Sequence, residues 1–193
     1  YLWAGDEPHL DGLSALPLFM SIRAAIRAKV VAAGMAHQPA PRRAKARYEA
    51  KRYLACALDF LRSPAPRLVA IGGLSGSGKS TLAAALAPHL GRAPGAVHLR
   101  SDIERKRLAG VAETTRLPSE TYTREESDRV YAELRRKAAL ALAAGSVVLV
   151  DAVHAAPRER EAIEEVARAQ QVPFTGLWLD APVNTLTRRV VRR

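Results

Sequence analysis

GLSGSGKST at Gly73–Thr81, separated by Gly72 from the apolar run LVAI at Leu68–Ile71, decides the fold of this chain. The segment fits the pattern G-x-x-x-x-G-K-[ST] at every fixed position. In this pattern glycines let backbone amides turn towards a β-phosphate, and the following helix adds unsatisfied N–H groups at its N-terminus. An apolar strand before the loop and an Ala/Leu-rich helix after it are the context that this chemistry requires. An ordinary glycine turn is therefore a poor alternative.

The residues of this loop predict a nucleotide site with ATP and Mg²⁺ as cofactors. Lys79 is expected to reach the β- and γ-phosphates, and Ser80 is expected to ligate Mg²⁺. The predicted nucleotide-binding residues of the loop are Gly73, Ser75, Gly76, Ser77, Gly78, Lys79, Ser80 and Thr81.

A second metal ligand is predicted at the end of another apolar run, Val147–Val150, which is followed by Asp151. In phosphate-loop proteins such a strand lies beside the phosphate-loop strand, and its Asp holds Mg²⁺ directly or through water. A strand that merely ends in a polar turn residue is the alternative. The presence of the phosphate loop favours the metal role for Asp151.

From Leu68 onward, predicted strands and helices alternate. The predicted strands are Leu68–Ile71, Ala96–Leu99, Val147–Val150 and Phe174–Leu179, and the predicted helices are Lys79–Leu90, Ser101–Leu108, Thr123–Ala144, Pro157–Gln170 and Val183–Arg193. This alternation predicts an α/β fold, with a parallel sheet and helices on both faces. Two helices, at about Leu13–Ala33 and Arg42–Leu61, come before it. We therefore divide the chain into a helical segment, residues 1–64, and an α/β domain, residues 65–193.

The bulk composition limits the classes of function. Hydrophobic residues make up 48% of the chain, yet no apolar run is long enough to span a bilayer. No signal-peptide pattern is present, and the single cysteine, Cys56, excludes an internal disulfide framework. These features favour a cytoplasmic location without a membrane partner. The formal net charge of +11 suits anionic phosphates, whereas dispersed basic residues and only 5% aromatics argue against a nucleic-acid partner.

The acceptor side of the predicted site begins at Ser101, directly after the second predicted strand. Asp102 and Arg105 are three residues apart and share one helix face. A carboxylate there can accept the proton of an attacking hydroxyl, and an arginine can hold the substrate or offset charge. The alternative is a capping box of Ser101 and Glu104, with Asp102 suited to the first helical turn. Spacing alone leaves the two interpretations equal.

The last predicted helix carries Arg189 and Arg193 at i,i+4 spacing. These arginines are candidates to reach over ATP as part of a lid, and a plain basic helix end is the alternative. His154, three residues after Asp151, is interpreted as a loop histidine rather than a catalytic one. The sequence of the loop Ala109–Tyr122 does not identify the acceptor.

Four segments together resemble the small-molecule-kinase-like ATP-binding proteins that are related to gluconate kinase and shikimate kinase and are often labelled AAA-family ATPases. The segments are GLSGSGKST, LRSDIERKRL, VYAELRRKAALALAAGSVVLVDAVH and FTGLWLDAPVNTLTRRVVRR, and the resemblance covers about two thirds of the chain. It implies a P-loop kinase-type fold that is incomplete at the C-terminus. It also implies that Asp102 is the base for the acceptor hydroxyl, with Arg105 beside it, and that Arg189 and Arg193 begin the lid.

The front part, LPLFMSIRAAIRAKVVAAG and RYEAKRYLACALDFL, is similar to the last helices of an aminoglycoside-phosphotransferase-like domain. The resemblance implies an upstream fused domain in the full-length protein, so that this chain is a segment of something longer. We assign no catalytic residue before Leu68. If the resemblance holds, residues 1–63 expose an apolar surface.

Three functions are compatible with these residues. The first is transfer of the γ-phosphate of ATP to a hydroxyl of a small molecule, whose identity the sequence does not give. The second is a nucleotide-dependent ATPase or switch that regulates a fused domain. The third is a polynucleotide 5′-hydroxyl kinase, which the few aromatics and the scattered charge disfavour.

Overall fold

The computed structural model describes residues 7–62 and 65–191 of the chain. In chain order the helices and strands are α1 (Glu7–Asp11), α2 (Leu16–Gly34), α3 (Ala40–Leu61), β1 (Leu68–Gly73), α4 (Lys79–Leu86), β2 (Val97–Arg100), α5 (Ser101–Leu108), α6 (Arg124–Ala143), β3 (Val148–Asp151), α7 (Pro157–Ala169), β4 (Phe174–Leu179) and α8 (Val183–Val191). Short 3-10 turns lie at Gly12–Ser14, Met35–His37, Ala87–His89 and Ser119–Thr121.

The chain forms two compact units, one made of Gly12–Pro64 and the other of Tyr1–Asp11 together with Ala65–Arg193. Helix α1 therefore belongs with the α/β unit, although the sequence analysis places it in the helical segment. The cause is Leu10, which is 1% exposed, and α1 packs against α6. Burial of one large aliphatic side chain decides which unit this short helix joins.

The four strands form one parallel sheet in the order β2-β3-β1-β4. β1 lies in the middle, where Leu68 pairs with Val148 of β3 on one side and with Phe174 of β4 on the other. Every residue of β1 and β3 is buried, as expected for continuous apolar strands covered on both faces. The predicted α/β fold with a parallel sheet is confirmed.

Alternate residues of β1 face different helices. Val69 and Ile71 join a buried cluster with Ala83 of α4. Ala70, pointing the other way, lines a pocket together with Ile163 of α7. Helices therefore cover both faces of the sheet, and the carboxyl ends of all four strands meet at one edge.

Several element boundaries have a clear local cause. Helix α4 ends at Leu86, earlier than the predicted Leu90, because Pro88 has no N–H and places Ala87–His89 in a 3-10 turn. Helix α6 begins after Thr123, whose hydroxyl accepts a hydrogen bond from Glu126 N at 3.2 Å. Thr123 is therefore the side-chain cap of this helix.

In the helical unit, α2 packs against α3 through small buried side chains, Ser21, Ala24, Ala46 and Ala57. The other side of α2 exposes Phe19, Ile22, Ile26 and Val30, which follow one another at helical spacing. We call these four residues the α2 stripe. Within residues 7–62 and 65–191, no helix combines the length and apolar character needed to cross a bilayer.

Candidate nucleotide and acceptor site

The phosphate loop is closed by hydrogen bonds of its own backbone and of the lysine. Gly73 N donates to Val153 O at 3.0 Å, which ties the start of the loop to the segment that follows β3. Ser77 N donates to Leu74 O at 3.1 Å, and Lys79 Nζ donates to the same carbonyl at 3.0 Å. The loop thus has a defined shape, with the lysine ammonium held inside it.

Gly76 shows why this loop needs glycine. Its φ is +85°, in the left-handed region that side chains disfavour. A Cβ there would lie 2.7 Å from the carbonyl oxygen of Leu186 in α8. The missing side chain lets α8 pack directly on the loop.

The loop has features that fit a bound phosphate group. Ser77 is 8% exposed, and its Oγ has no hydrogen-bond partner among the residues that the structure describes. Helix α4 starts at Lys79 immediately after the loop, so its first N–H groups lie at the same place. An orphaned buried hydroxyl next to a helix N-terminus provides donors for an anion.

Asp151 lies at the carboxyl end of β3, opposite Ile71 of β1 and Arg100 of β2, and is 4% exposed. Burial alone would raise the pKa of Asp151. A contact with His98, a hydrogen bond from the Ser80 hydroxyl and the charge of Lys79 outweigh burial and lower the pKa. The carboxylate is therefore ionised at neutral pH, as a metal ligand must be.

Two neighbours of this carboxylate were not predicted from the sequence. His98 Nε2 lies 3.6 Å from Asp151 Oδ2, slightly beyond hydrogen-bond length, and Arg100 Nε lies 4.0 Å from the same oxygen. Both residues come from β2, and the available signal was their two-residue spacing, which places them on one face of a strand.

Helix α5 presents Asp102 and Arg105 in different surroundings. Asp102 has a half-exposed side chain and pairs with Lys106 Nζ at 3.1 Å. Arg105 donates to Thr121 O at 3.4 Å and to Ser127 Oγ at 3.3 Å. Its guanidinium also lies 4.7 Å from the centre of the Tyr122 ring. Arg105 thus holds the segment before α6, and Asp102 faces solvent.

Glu104 does not form the capping box that was the alternative for this helix. Its carboxylate is 2% exposed and accepts from Lys137 Nζ at 2.5 Å and from Arg107 at 3.0 Å. Lys137 belongs to α6 and is 4% exposed. A buried ion pair therefore joins α5 to α6.

Arg189 of α8 reaches the phosphate loop. It donates from Nη1 to Gly76 O at 3.1 Å, and the same nitrogen lies 3.9 Å from the Cβ position of Gly78. The other predicted lid arginine, Arg193, lies outside the described residues. Arg189 thus places a second positive charge, besides that of Lys79, at the phosphate loop, although it is far from the loop in sequence.

Comparison with known proteins agrees with this architecture. The model of a family described as AAA domain matches residues 68–193. The uncharacterized protein Rv2004c of Mycobacterium tuberculosis is 31% identical over 179 residues, which are 91% of this chain and 34% of that protein. This chain therefore spans about a third of the length of that relative.

Two solved structures have the same fold. The APS kinase CysC of Mycobacterium tuberculosis, in complex with AMPPNP and APS, has a TM-score of 0.52 at 25% identity, covering 65% of this chain and 69% of its own. A candidate kinase from Chloroflexus aurantiacus has a TM-score of 0.56 at 19% identity, covering 67% of this chain and 66% of its own. Together with the family match, these likenesses show that the chain belongs to the AAA domain family and has a P-loop kinase-like fold.

Proposed function

We propose that this chain binds ATP with Mg²⁺ and transfers the γ-phosphate to a hydroxyl of a small molecule. The observation that carries the proposal is the convergence of the phosphate loop, the ionised Asp151 and Arg189 at one edge of the sheet. The carboxylate of Asp102 lies on the helix that starts directly after β2. The likeness to an APS kinase solved with AMPPNP and APS supports the same reaction class.

The residues present fit a divalent cation. Ser80 and Asp151, which share a hydrogen bond, would hold Mg²⁺ together with phosphate oxygens and water. Within the described ranges no group of three or more His, Cys, Asp or Glu side chains forms a metal cluster of its own. When bound, the cation would neutralise charge on the β- and γ-phosphates.

The chain's own side chains would divide the remaining roles. Lys79 would exchange Leu74 O for the β- and γ-phosphates, and Arg189 would offset charge above the loop. Asp102 would accept the proton of the acceptor hydroxyl. Arg105 would position the segment before α6, and Arg193 stays a predicted lid residue.

The test is transfer of label from γ-labelled ATP, with Mg²⁺, into a cell metabolite extract. Lys79→Ala and Asp102→Asn are both expected to abolish labelling of a metabolite. Asp128→Asn is the matched control, because Asp128 is also an exposed helical carboxylate in an ion pair, with Arg158 at 3.3 Å. Label that leaves ATP only as inorganic phosphate, with Asp102→Asn unaffected, would contradict the kinase assignment.

The same experiment tests two alternative functions, an ATPase or switch and a polynucleotide kinase. The pairing of Asp102 with Lys106 is the observation that favours an ATPase or switch, because it leaves the proposed base engaged. That function predicts phosphate release without any labelled acceptor. A 5′-hydroxyl oligonucleotide is offered as a second acceptor. Its labelling, with binding that falls steeply as salt rises, would identify a polynucleotide kinase.

We propose separately that the helical unit packs against a further domain of a longer protein, such as the predicted aminoglycoside-phosphotransferase-like domain. The α2 stripe supports this, since Phe19 is 66% and Val30 58% exposed. Rv2004c, which is nearly three times as long as its match, offers the test. Hydrogen exchange in its α2 equivalent should be slower in the full protein than in the matching segment alone, and equal rates would contradict the proposal. The cytoplasmic location stays a prediction.

A further inference from the structure

Arg100 is the last residue of β2 and lies at the edge of the sheet where the carboxyl ends of the strands meet. Ligands of open α/β sheets bind at this edge. In the sheet, Arg100 is paired with Asp151 of β3, the proposed metal ligand. Helix α5 starts at the next residue and carries the proposed base, Asp102. Arg100 thus adjoins both carboxylates on which the proposed function depends.

The Arg100 guanidinium is on the face of the sheet that α4 covers. Leu149, two residues before Asp151 on β3, packs with Ala83 of α4, so Asp151 points to the same face. Arg100 Nε lies 4.0 Å from Asp151 Oδ2, and the same carboxylate accepts a hydrogen bond from Ser80 at the start of α4. Arg100 therefore approaches the proposed metal site from the side of β2.

This guanidinium has no hydrogen-bond partner among the residues that the structure describes. Its Nε is enclosed by the protein and unpaired, and 4.0 Å to Asp151 is too long for a hydrogen bond. The pKa of Asp151 is lowered chiefly by contacts with His98 and Ser80, so the arginine is not the main partner of this carboxylate. The two terminal nitrogens are not enclosed, and the side chain is 38% exposed. Arg100 can therefore donate to a ligand at the open edge of the sheet.

The cations of α5, in contrast, already have partners. Arg105 holds the segment before α6. Lys106 is shared between the carboxylate of Asp102 and a carbonyl of the loop before α6. Arg107 belongs to the buried ion-pair network that joins α5 to α6. Unlike these three side chains, Arg100 has N–H groups that are free for an anion.

The order of the strands separates Arg100 from the phosphates of ATP. The phosphate loop follows β1, and β3 lies between β1 and β2. Neighbouring strands are about 4.8 Å apart, so the backbone of Arg100 is about 10 Å from the phosphate-loop strand. Lys79 and Arg189, the two cations at the loop, come from α4 and α8. Arg100 is thus on the acceptor side of Asp151 rather than on the nucleotide side.

We propose that Arg100 binds an anionic group of the acceptor, whose class is therefore a hydroxylated small molecule with a carboxylate or a phosphate. A planar guanidinium pairs with either anion through two parallel hydrogen bonds. This role of Arg100 rests on the proposed function, because it determines which acceptors that site takes. In the reaction the acceptor oxygen forms a bond to the γ-phosphorus, the bond from the γ-phosphorus to the bridging oxygen of ADP breaks, and the hydroxyl proton passes to Asp102. The anionic group at Arg100 stays unchanged.

The test uses the full chain with Mg²⁺ and a cell metabolite extract that an anion-exchange resin has divided at neutral pH. The unretained fraction holds neutral and cationic molecules, the retained fraction holds anions, and excess γ-labelled ATP is added to each. We expect a labelled metabolite from the retained fraction and none from the unretained one. Treatment of the retained fraction with a phosphatase, which is removed before the assay, should abolish labelling of an acceptor with a phosphate and spare one with a carboxylate.

Variants test whether Arg100 recognises that charge. With Arg100→Gln, about 10- to 100-fold more of the retained fraction should be needed for half-maximal labelling, which is the loss expected for a hydrogen bond between charged groups. Arg100→Lys should recover part of the loss, because it keeps the charge without the planar fork. The ATP and Mg²⁺ concentrations for half-maximal labelling should stay unchanged in both variants. Arg168→Gln is the matched control and should change none of these values, since this exposed arginine pairs with Glu164 near the end of α7.

Four results would overturn the assignment of Arg100. Labelling of a metabolite from the unretained fraction alone would support the kinase function and show that its acceptor carries no negative charge. A higher ATP or Mg²⁺ requirement in Arg100→Gln would place the arginine at the nucleotide or at Asp151 instead. An unchanged requirement for the retained fraction in Arg100→Gln would show that another group binds the anion. If neither fraction is labelled, the proposed function itself fails, and the role of Arg100 fails with it.

Discussion

The phosphate loop and helix α5 lie at the same edge of the sheet but are built in different ways. The loop positions its groups with backbone, through positive φ angles and bonds such as Gly73 N to Val153 O. Helix α5 positions its groups with side chains, through the buried pair of Glu104 and Lys137. A site formed by backbone groups requires glycines at fixed positions, and these can be recognised in the sequence. A site formed by side chains has no such pattern.

Substitutions in the phosphate loop and in helix α5 should also affect stability to different extents. Removing one partner of a buried ion pair leaves an uncompensated charge in the protein interior, which is costly. Adding a methyl group to the loop strains a few torsion angles. The following substitutions test this difference, from the largest expected effect on stability to the smallest.

Lys137→Met should have the largest effect. It removes the closer of two cations that pair with the buried carboxylate of Glu104 and leaves Arg107, so the free energy of unfolding should fall by about 3 kcal/mol in urea titrations, the low end of the cost of a broken buried pair. Arg129→Met is the control, because Arg129 is exposed and its partner Glu126 is only partly buried, and it should cost less than about 1 kcal/mol. Equal costs for the two variants would show that α5 does not depend on its buried pair.

Restoring neutrality should recover the loss. In the double variant Glu104→Leu with Lys137→Met no buried charge is left unpaired, so most of the lost stability should return. If the double variant is as unstable as Lys137→Met, the loss of stability comes from packing rather than from the unpaired charge.

The pH dependence of unfolding tests the segment behind the loop. The pKa of His154 is lowered from 6.5 to about 4, so the unfolded chain takes up a proton at higher pH than the folded chain does. Stability should therefore fall as the pH drops from about 6.5 to about 4, by up to about 3 kcal/mol. His154→Phe should flatten this part of the profile, and His89→Phe should not. The lowered pKa of Asp151 adds a further loss only in stronger acid, below its usual range.

Gly76→Ala should cost less than the loss of the buried pair. Gly110→Ala is its matched control, since Gly110 also has a positive φ, of +68°, but nothing within 4 Å of the Cβ position. The control should cost about 1–2 kcal/mol from backbone strain alone. Gly76→Ala should exceed that value because of the contact with Leu186 O, and it should also weaken ATP binding. Thermal unfolding and ATP titration measure the two effects.

Asp102→Asn should have the smallest effect on stability, within about 0.5 kcal/mol, because its side chain is half exposed. ATP binding should be retained, while transfer to an acceptor should fall by about 10²–10⁴-fold if Asp102 is the base. A loss of ATP binding in Asp102→Asn would show that the two parts of the site cannot be separated.

The sequence predicted the fold because its local patterns agree with the global arrangement. All four strands were predicted, yet β2 and β3 each begin and end one residue later than expected. The reason is pairing: Val97 and Arg100 lie opposite Val148 and Asp151, so neighbouring strands set the ends. A local apolar run carries no information about its partner.

Motifs in the sequence predicted roles for Ser80 and Asp151, whereas the long-range side-chain contacts around the candidate site were not predicted. Glu104 and Lys137 are 33 residues apart, and Arg189 and Gly76 are 113 apart. Long-range contacts of this kind depend on how helices pack on the sheet. Spacing rules predict only contacts between residues of the same helix. The sequence nevertheless singled out Arg189, through the resemblance of its segment to kinase lids.

Leu10 makes the helical unit an insertion rather than a tail. Because α1 is anchored on α6 and the chain re-enters the same unit at Ala65, both connections of the helical unit lead to one body. A single cut between α3 and β1 would leave the two pieces joined through α1. A tail has one connection to its neighbour, whereas this unit has two, and one of the two depends on the burial of Leu10.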